Sequence, residues 1–205
     1  MKVSLRELDP AELPETAKLV ARAMCDNPVD VRVFALADPA RRKRALTRFF
    51  TAALRGQLRR GSIIVAYDKA TIVGVYAMTP PGDCQPSICE KVRILPKVII
   101  GNPPGTLVRV LSWVGEWSKR DPVESHWHLG PVAVAPEFQG RGVGTAMITD
   151  FCSRLDAGAL AYLETDKADN VRLYQRFGFT VVAEAEVLGV PNWFMLRRIS
   201  LAKER

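Results

Sequence analysis

The order of strand-like and helix-like segments predicts an α/β (α+β) fold, a mixed central sheet flanked by helices. Two observations carry that expectation. Apolar stripes at helical spacing alternate with short β-branched runs, and the runs come both as a hairpin and as single strands separated by helices. At 205 residues, 48% of them hydrophobic, the chain is long enough for one substantial core. It reads as a single domain over 1–205 with a helical and loop insertion at about 83–124. No segment period recurs, which argues against a repeat array.

Taken in order, Val3 to Leu8 alternates as a strand, and Glu12 to Met24 carries the stripe Leu13, Ala17, Val20, Ala21 and Met24 of a helix. Pro28 is expected to break the chain after this helix. Asp38-Pro39 is an N-cap and first helical residue, opening a helix to about Arg59 with Leu46, Phe50 and Leu54 inward. Ser62–Ala66 and Thr71–Ala77 flank a polar turn at Asp68-Lys69 and read as a hairpin ended by Pro80-Pro81-Gly82. Within the insertion, prolines at 86, 96, 103, 104 and 122 surround one amphipathic helix, Thr106 to Lys119. Then come a strand at His126–Val134, a helix at Gly142–Leu155, a strand at Ala159–Thr165 and a helix at Asn170–Phe177 closed by Gly178. Strands at Phe179–Val187 and Trp193–Ile199 finish the chain.

Composition narrows the function classes. The four cysteines lack Cys-x-x-Cys spacing and both histidines sit together at His126 and His128, so no metal site is expected and the thiols read as reduced and structural. The alternating N-terminus lacks a signal peptide's apolar core, and apolar stretches are interrupted long before membrane-spanning length, so a soluble cytoplasmic protein with no membrane partner is expected. A formal charge of +7 favours anionic partners without choosing among nucleic acid, anionic lipid and phosphorylated cofactors. Arg41, Arg44, Arg48, Arg55 and Arg59 fall near one helix face, which more often is a solvated surface than a track for phosphates, so nucleic acid is an unlikely partner. A homodimer is compatible with the sequence.

The most informative stretch runs from Val132 to Thr145, a buried-type strand leading through Gly140, Gly142 and Gly144 into a helix. Alternating glycines let the backbone approach a ligand, and the free N–H groups and dipole of a helix start favour a pyrophosphate. Arg141 adds a cationic contact. A dinucleotide fold offers a similar turn, and Glu164, about twenty residues on, mimics its ribose-binding acid. Against it, Gly-x-Gly-x-x-Gly begun at Gly140 fails at Thr145, and the turn comes late in the chain. The dinucleotide fold stays as the minor alternative.

The segment resembles the donor-site motif Gln/Arg-x-x-Gly-x-Gly/Ala of the GCN5-related N-acetyltransferase (GNAT) superfamily, here Gln139, Gly142 and Gly144. A second pattern of that superfamily, Asn-x-x-x-Tyr-x-x-x-Gly-Phe, is matched in order by Asn170, Tyr174, Gly178 and Phe179. From His126 to Arg198 the chain is similar to puromycin N-acetyltransferase-like members through His126-Trp127-His128-Leu129, Leu163-Glu164-Thr165 and Trp193-Phe194-Met195. The resemblance implies a mostly antiparallel sheet and an enzyme that moves an acetyl group from acetyl-CoA directly to an amine, expected to be a small-molecule primary amine. A protein amino group, or a non-catalytic acyl-CoA sensor, are the alternatives.

It also implies roles. Val132, Ala133 and Val134 would hold the pantetheine arm, with the Val132 amide toward the thioester carbonyl. Arg141, Gly142, Val143, Gly144 and Thr145 would hold the pyrophosphate, and Gln139, Gly140 and Asn170 would contact the coenzyme. Tyr174, one turn after Asn170, would protonate the departing thiolate. An alkyl amine is mostly protonated at neutral pH, so a base is needed, and His128, eleven residues before Gln139, has a suitable ordinary pKa. His126, Glu124 and Glu164 are reserve bases. Trp113, Trp117, Trp127 and Phe34 could line an acceptor pocket.

Overall fold

β-Branched runs at the predicted positions assemble a seven-stranded sheet in the computed structural model, which describes residues 1–199. The strands are β1 (Ser4–Glu7), β2 (Ser62–Asp68), β3 (Thr71–Thr79), β4 (Trp127–Val134), β5 (Leu160–Thr165), β6 (Thr180–Val187) and β7 (Val190–Arg198). Their spatial order is β1-β2-β3-β4-β5-β7-β6, antiparallel throughout except where β4 meets β5. This is the mixed, mostly antiparallel sheet expected from the sequence.

The helices are α1 (Leu13–Ala23), α2 (Pro28–Phe34), α3 (Pro39–Arg60), α4 (Ile88–Ile99), α5 (Thr106–Ser118), α6 (Val143–Ser153) and α7 (Ala168–Gln175). Two of them depart from the sequence expectation. Pro28 does not simply break the chain; it opens α2, because the first helical position needs no N–H and suits proline's fixed φ. The stretch before Pro96 is also helical, since Ser87 and Glu90 form a reciprocal capping box and Pro96 falls only in the last turn of α4. The segment 83–124 therefore holds two helices. Among the described residues no helix is long and apolar enough to cross a membrane.

Each face of the sheet is buried. Along β2, Ile63, Val65 and Tyr67 join the core with α1, α2 and α3, while Ile64 and Ala66 face the core built with α6. Two register shifts then re-aim the central strands. Between β2 and β3 the pairs Ala66↔Gly74 and Tyr67↔Ile72 leave Val73 as the extra residue. Between β3 and β4 the pairs Tyr76↔Val132 and Met78↔Leu129 leave an extra residue in β4 near Gly130-Pro131. Leu129 and Val132 consequently share a face, although simple alternation would separate them.

The arginines of α3 are used unequally. Arg41, Arg44, Arg55 and Arg59 are exposed, whereas Arg48 donates to the Ile100 carbonyl at 3.0 Å. Arg42 is buried. Its guanidinium donates to the carbonyls of Cys25 and Leu36 at 2.6 and 2.5 Å and reaches Asp26 at 3.2 Å, clamping both ends of the segment that contains α2. Replacing Arg42 with Met leaves those carbonyls without donors. Arg42→Met is expected to cost about 2–4 kcal/mol, read as a lower urea midpoint at unchanged slope.

Candidate active site

β4 and β5 pair only at Trp127↔Ala161 and His128↔Tyr162. Beyond His128 the two strands part, leaving one edge of β4 without a strand partner. The gap opens into a cleft of about 580 Å3 between Val132, Ala133 and Val134 on one side and Asn170, Leu173 and Tyr174 of α7 on the other.

At the mouth of this cleft stands the N-terminus of α6. Gly140 and Gly142 have φ of 72° and 85°, a left-handed conformation that costs other residues roughly 1–2 kcal/mol. Gly144 differs: it is helical, and a Cβ there would meet only ordinary contacts at 3.9 Å, so its need for glycine is weaker than the alternating pattern implies. The first backbone bond back to the turn is Ala146 N–H to Gly142 O. The amides of Val143, Gly144 and Thr145 thus precede the helical ladder. No side chain caps this end and its first turn holds no acid. Such an uncapped, partly positive terminus beside a large cleft fits a pyrophosphate, as do Lys167 and Arg176, which also line the cleft.

The predicted cradle residues do not all face the cleft. Gln139 lines it and donates to the Val134 carbonyl at 3.1 Å, tying the turn to the end of β4. Arg141 instead lies over the Phe138 ring at 5.4 Å. The Val143 side chain is in the core, so only its backbone faces outward.

A second cavity, of about 240 Å3, lies on the other side of the gap. It is walled by Phe50, Trp113 and Trp117 and by the carboxyl groups of Asp30, Glu164 and Asp166, with no lysine or arginine among its lining residues. The two cavities share Met24, Asn27, Val132, Asn170 and Tyr174. Tyr174 is buried, its ring packs edge-on against Phe179 at 5.9 Å, and its hydroxyl makes no hydrogen bond among the described residues. Burial, then the nearby charge of Glu164, raises the pKa of this phenol, so it is protonated at neutral pH. Asn170 donates to Thr165 Oγ1 at 3.1 Å.

His128 Nε2 lies 2.7 Å from Glu164 Oε2, and both residues line the smaller cavity. Burial pushes the imidazole pKa down, but the charge and hydrogen bond of Glu164 outweigh it, and the net effect is upward from the ordinary value near 6.5. His126 is placed differently: it is 5% exposed, lines neither cavity, and has Nδ1 2.8 Å from the Glu124 carbonyl and Nε2 3.1 Å from Asp121. Burial opposes its protonation, yet Asp121 brings its pKa up to about 10. Glu124 is on the surface, paired with Arg198 at 2.7 Å. Of the residues considered as bases, the structure brings only His128 and Glu164 to the cavity.

Of the aromatics, Trp113 and Trp117 line the cavity, while Phe34 is wholly in the core and Trp127 packs against the α6 core. Sequence reasoning missed Asp30, Phe50 and Asp166 in the smaller cavity and Lys167 in the larger cleft. No local motif marks them, since they converge from α2, α3 and the end of β5. The chain has two histidines, so imidazole NMR can follow each. His126 is expected to titrate near 10, and His128 above 6.5, falling when Glu164→Gln removes the charge that favours the imidazolium.

Known proteins share this fold. The fold is similar to that of a histone acetyltransferase HPA2 and related acetyltransferase from Corynebacterium glutamicum, at 22% identity and TM-score 0.73 with 100% of both chains covered. It is also similar to the ribosomal-protein-S18-alanine N-acetyltransferase of Escherichia coli, at 16% identity, TM-score 0.55 and coverage of 100% and 98%. A third likeness is to yncA of Salmonella typhimurium, solved with its cofactor acetyl-CoA, at 14% identity, TM-score 0.53 and coverage of 100% and 98%. At these identities the likeness is one of fold. The sequence match is more specific, spanning residues 31–179 and therefore the turn, β4, β5 and α7 together: the chain belongs to the acetyltransferase (GNAT) family and is an acetyl-CoA-dependent acetyltransferase.

Proposed function

We propose that the protein transfers the acetyl group to a small-molecule primary amine held in the acidic, aromatic cavity. The observation that carries this reading is the junction of the two cavities at Val132, Asn170 and Tyr174, beside the His128–Glu164 pair. A cleft suited to a phosphorylated coenzyme meets a small pocket suited to an amine. The pocket's size of about 240 Å3 and its aromatic walls favour a small molecule over a protein segment.

The similarity to puromycin N-acetyltransferase-like members rests on β4, β5 and β7. It shares His126 and Glu164, but His128 occupies the variable position of His-Trp-x-Leu, and Asp30, Phe50, Trp113 and Trp117, which shape the acceptor end, fall outside those motifs. The acceptor proposed is therefore a class, a primary amine, and not a named antibiotic.

Acetyl-CoA supplies an activated thioester. In the reading proposed, the amides from Gly140 to Thr145 and the cations Lys167 and Arg176 bind the pyrophosphate, while the free edge at Val132–Val134, with Asn170, orients the pantetheine arm. The Val132 N–H stabilises the oxyanion. Glu164 holds the Nε2 proton of His128, leaving the Nδ1 lone pair to remove a proton from the acceptor ammonium. Tyr174 Oη, kept protonated by its burial, delivers a proton to the departing sulfur. Burial raises a thiol's pKa as well, which helps to match donor and acceptor.

Thiol release with an amine panel tests the assignment. Tyr174→Phe is expected to lower kcat by about a hundredfold or more with coenzyme affinity retained; full turnover would remove its role. Because His128 must be neutral to act, kcat/KM should fall with decreasing pH through a value above 6.5, and Glu164→Gln should move that limb to lower pH. Coenzyme binding without thiol release from any amine would identify a sensor instead.

A further inference from the structure

One group of the acceptor cavity takes no part in the proposed proton transfers. Asp30, on the first turn of α2, is 4% exposed and lines the cavity. Among the described residues no donor reaches its Oδ1. A buried carboxyl oxygen without a partner is left unsatisfied at a cost to stability. Its neighbour Asp166 is occupied otherwise, accepting from the Val29 amide at 2.9 Å and from Asn27 at 3.5 Å. Burial, then the charge of Asp166, lifts the Asp30 carboxyl well above its ordinary range, against the smaller opposing pull of Lys167 and Arg42, so its ionised form awaits a cation brought beside it. Arg42 cannot serve as its donor, because its guanidinium is spent on Cys25, Leu36 and Asp26.

The surroundings of Asp30 narrow the missing partner. Glu164 is held by His128, three of the walls are aromatic, and the lining has no lysine or arginine in a chain of net charge +7. An apolar stem bearing a second cationic group suits such a space, since ammonium groups pair with carboxylates and lie well against aromatic faces. We infer that the acceptor is a dibasic amine, one amino group presented at the Tyr174 junction and the second, positively charged, received by Asp30. Asp30 is then a specificity-determining residue that takes no part in proton transfer. This inference rests on the reading of the cavity as the acceptor site.

The test pairs linear α,ω-diamines of three to six carbons with monoamines of the same length, measured by thiol release, with coenzyme binding followed separately by calorimetry. The wild-type protein is expected to prefer the diamine at its best length by roughly tenfold to a hundredfold in kcat/KM, the range of one charge-assisted pair. In the near-isosteric Asp30→Asn that ratio should fall to within about twofold of unity, mainly through a higher KM for the diamine. Thermal melting of Asp30→Asn checks folding, and the wild-type comparison needs no variant. Equal turnover of diamines and monoamines by the wild type, or a preference that survives in a folded Asp30→Asn, overturns the inference and leaves the amine transferase intact. Coenzyme binding with no thiol release from any amine overturns both.

Discussion

The site depends on the early parting of β4 and β5. Parallel neighbours normally continue their ladder, because each unpaired N–H or C=O loses a partner. Here the ladder stops at His128↔Tyr162, and the extra residue of β4 near Gly130-Pro131 lies just past that point. The bulge turns the strand so that Val132 presents a free edge to the gap while Ala133 stays in the opposite core. The unpaired edge is thus open to polar, backbone-like groups of a ligand. It also fixes where the neighbouring parts must stand, with α6 at one mouth and α7 along the facing wall.

Charge is sorted across that gap. The larger cleft carries Lys167, Arg176 and the positive end of α6 against the single carboxylate Asp169, whereas the smaller one carries Asp30, Glu164 and Asp166. The net charge of +7 describes neither cavity by itself. A local field of one sign concentrates ligands of the other, so the reading proposed above has the two halves recruit chemically opposite molecules that meet at Tyr174. The insertion helix α5 contributes to the second half by laying Trp113 and Trp117 over it, and Trp117 is anchored by its Nε1–H to Asn192 Oδ1 at 3.0 Å.

The same sorting explains the two histidines. His126 and His128 are two residues apart, yet one is pinned by Asp121 of the segment after α5 and the other by Glu164 of β5. Alternation puts them on one side of a strand, which is as much as sequence can say. Only His128 reaches the cavity, because β4 begins at Trp127 and the chain before it folds back against the insertion.

The sequence by itself determined the order of strands and of five of the seven helices, the glycine turn and the one-turn spacing that sets Asn170 and Tyr174 on one face of α7. These are local properties: apolar period, β-branching, positive φ and the one-turn spacing of a helix are set within a few residues. It did not reveal α2 or α4 as helices, because prolines mask the signal unless Pro28 is placed at a first position and Ser87-x-x-Glu90 is weighed as a cap. Only the tertiary structure decided which acid meets which base, where Asp30 lies, and that Phe34 and Trp127 belong to the core and not to the pocket. The reason is physical: the smaller cavity is built from side chains far apart in sequence, held by a sheet register that a one-residue bulge shifts, and nothing in a local window encodes that shift.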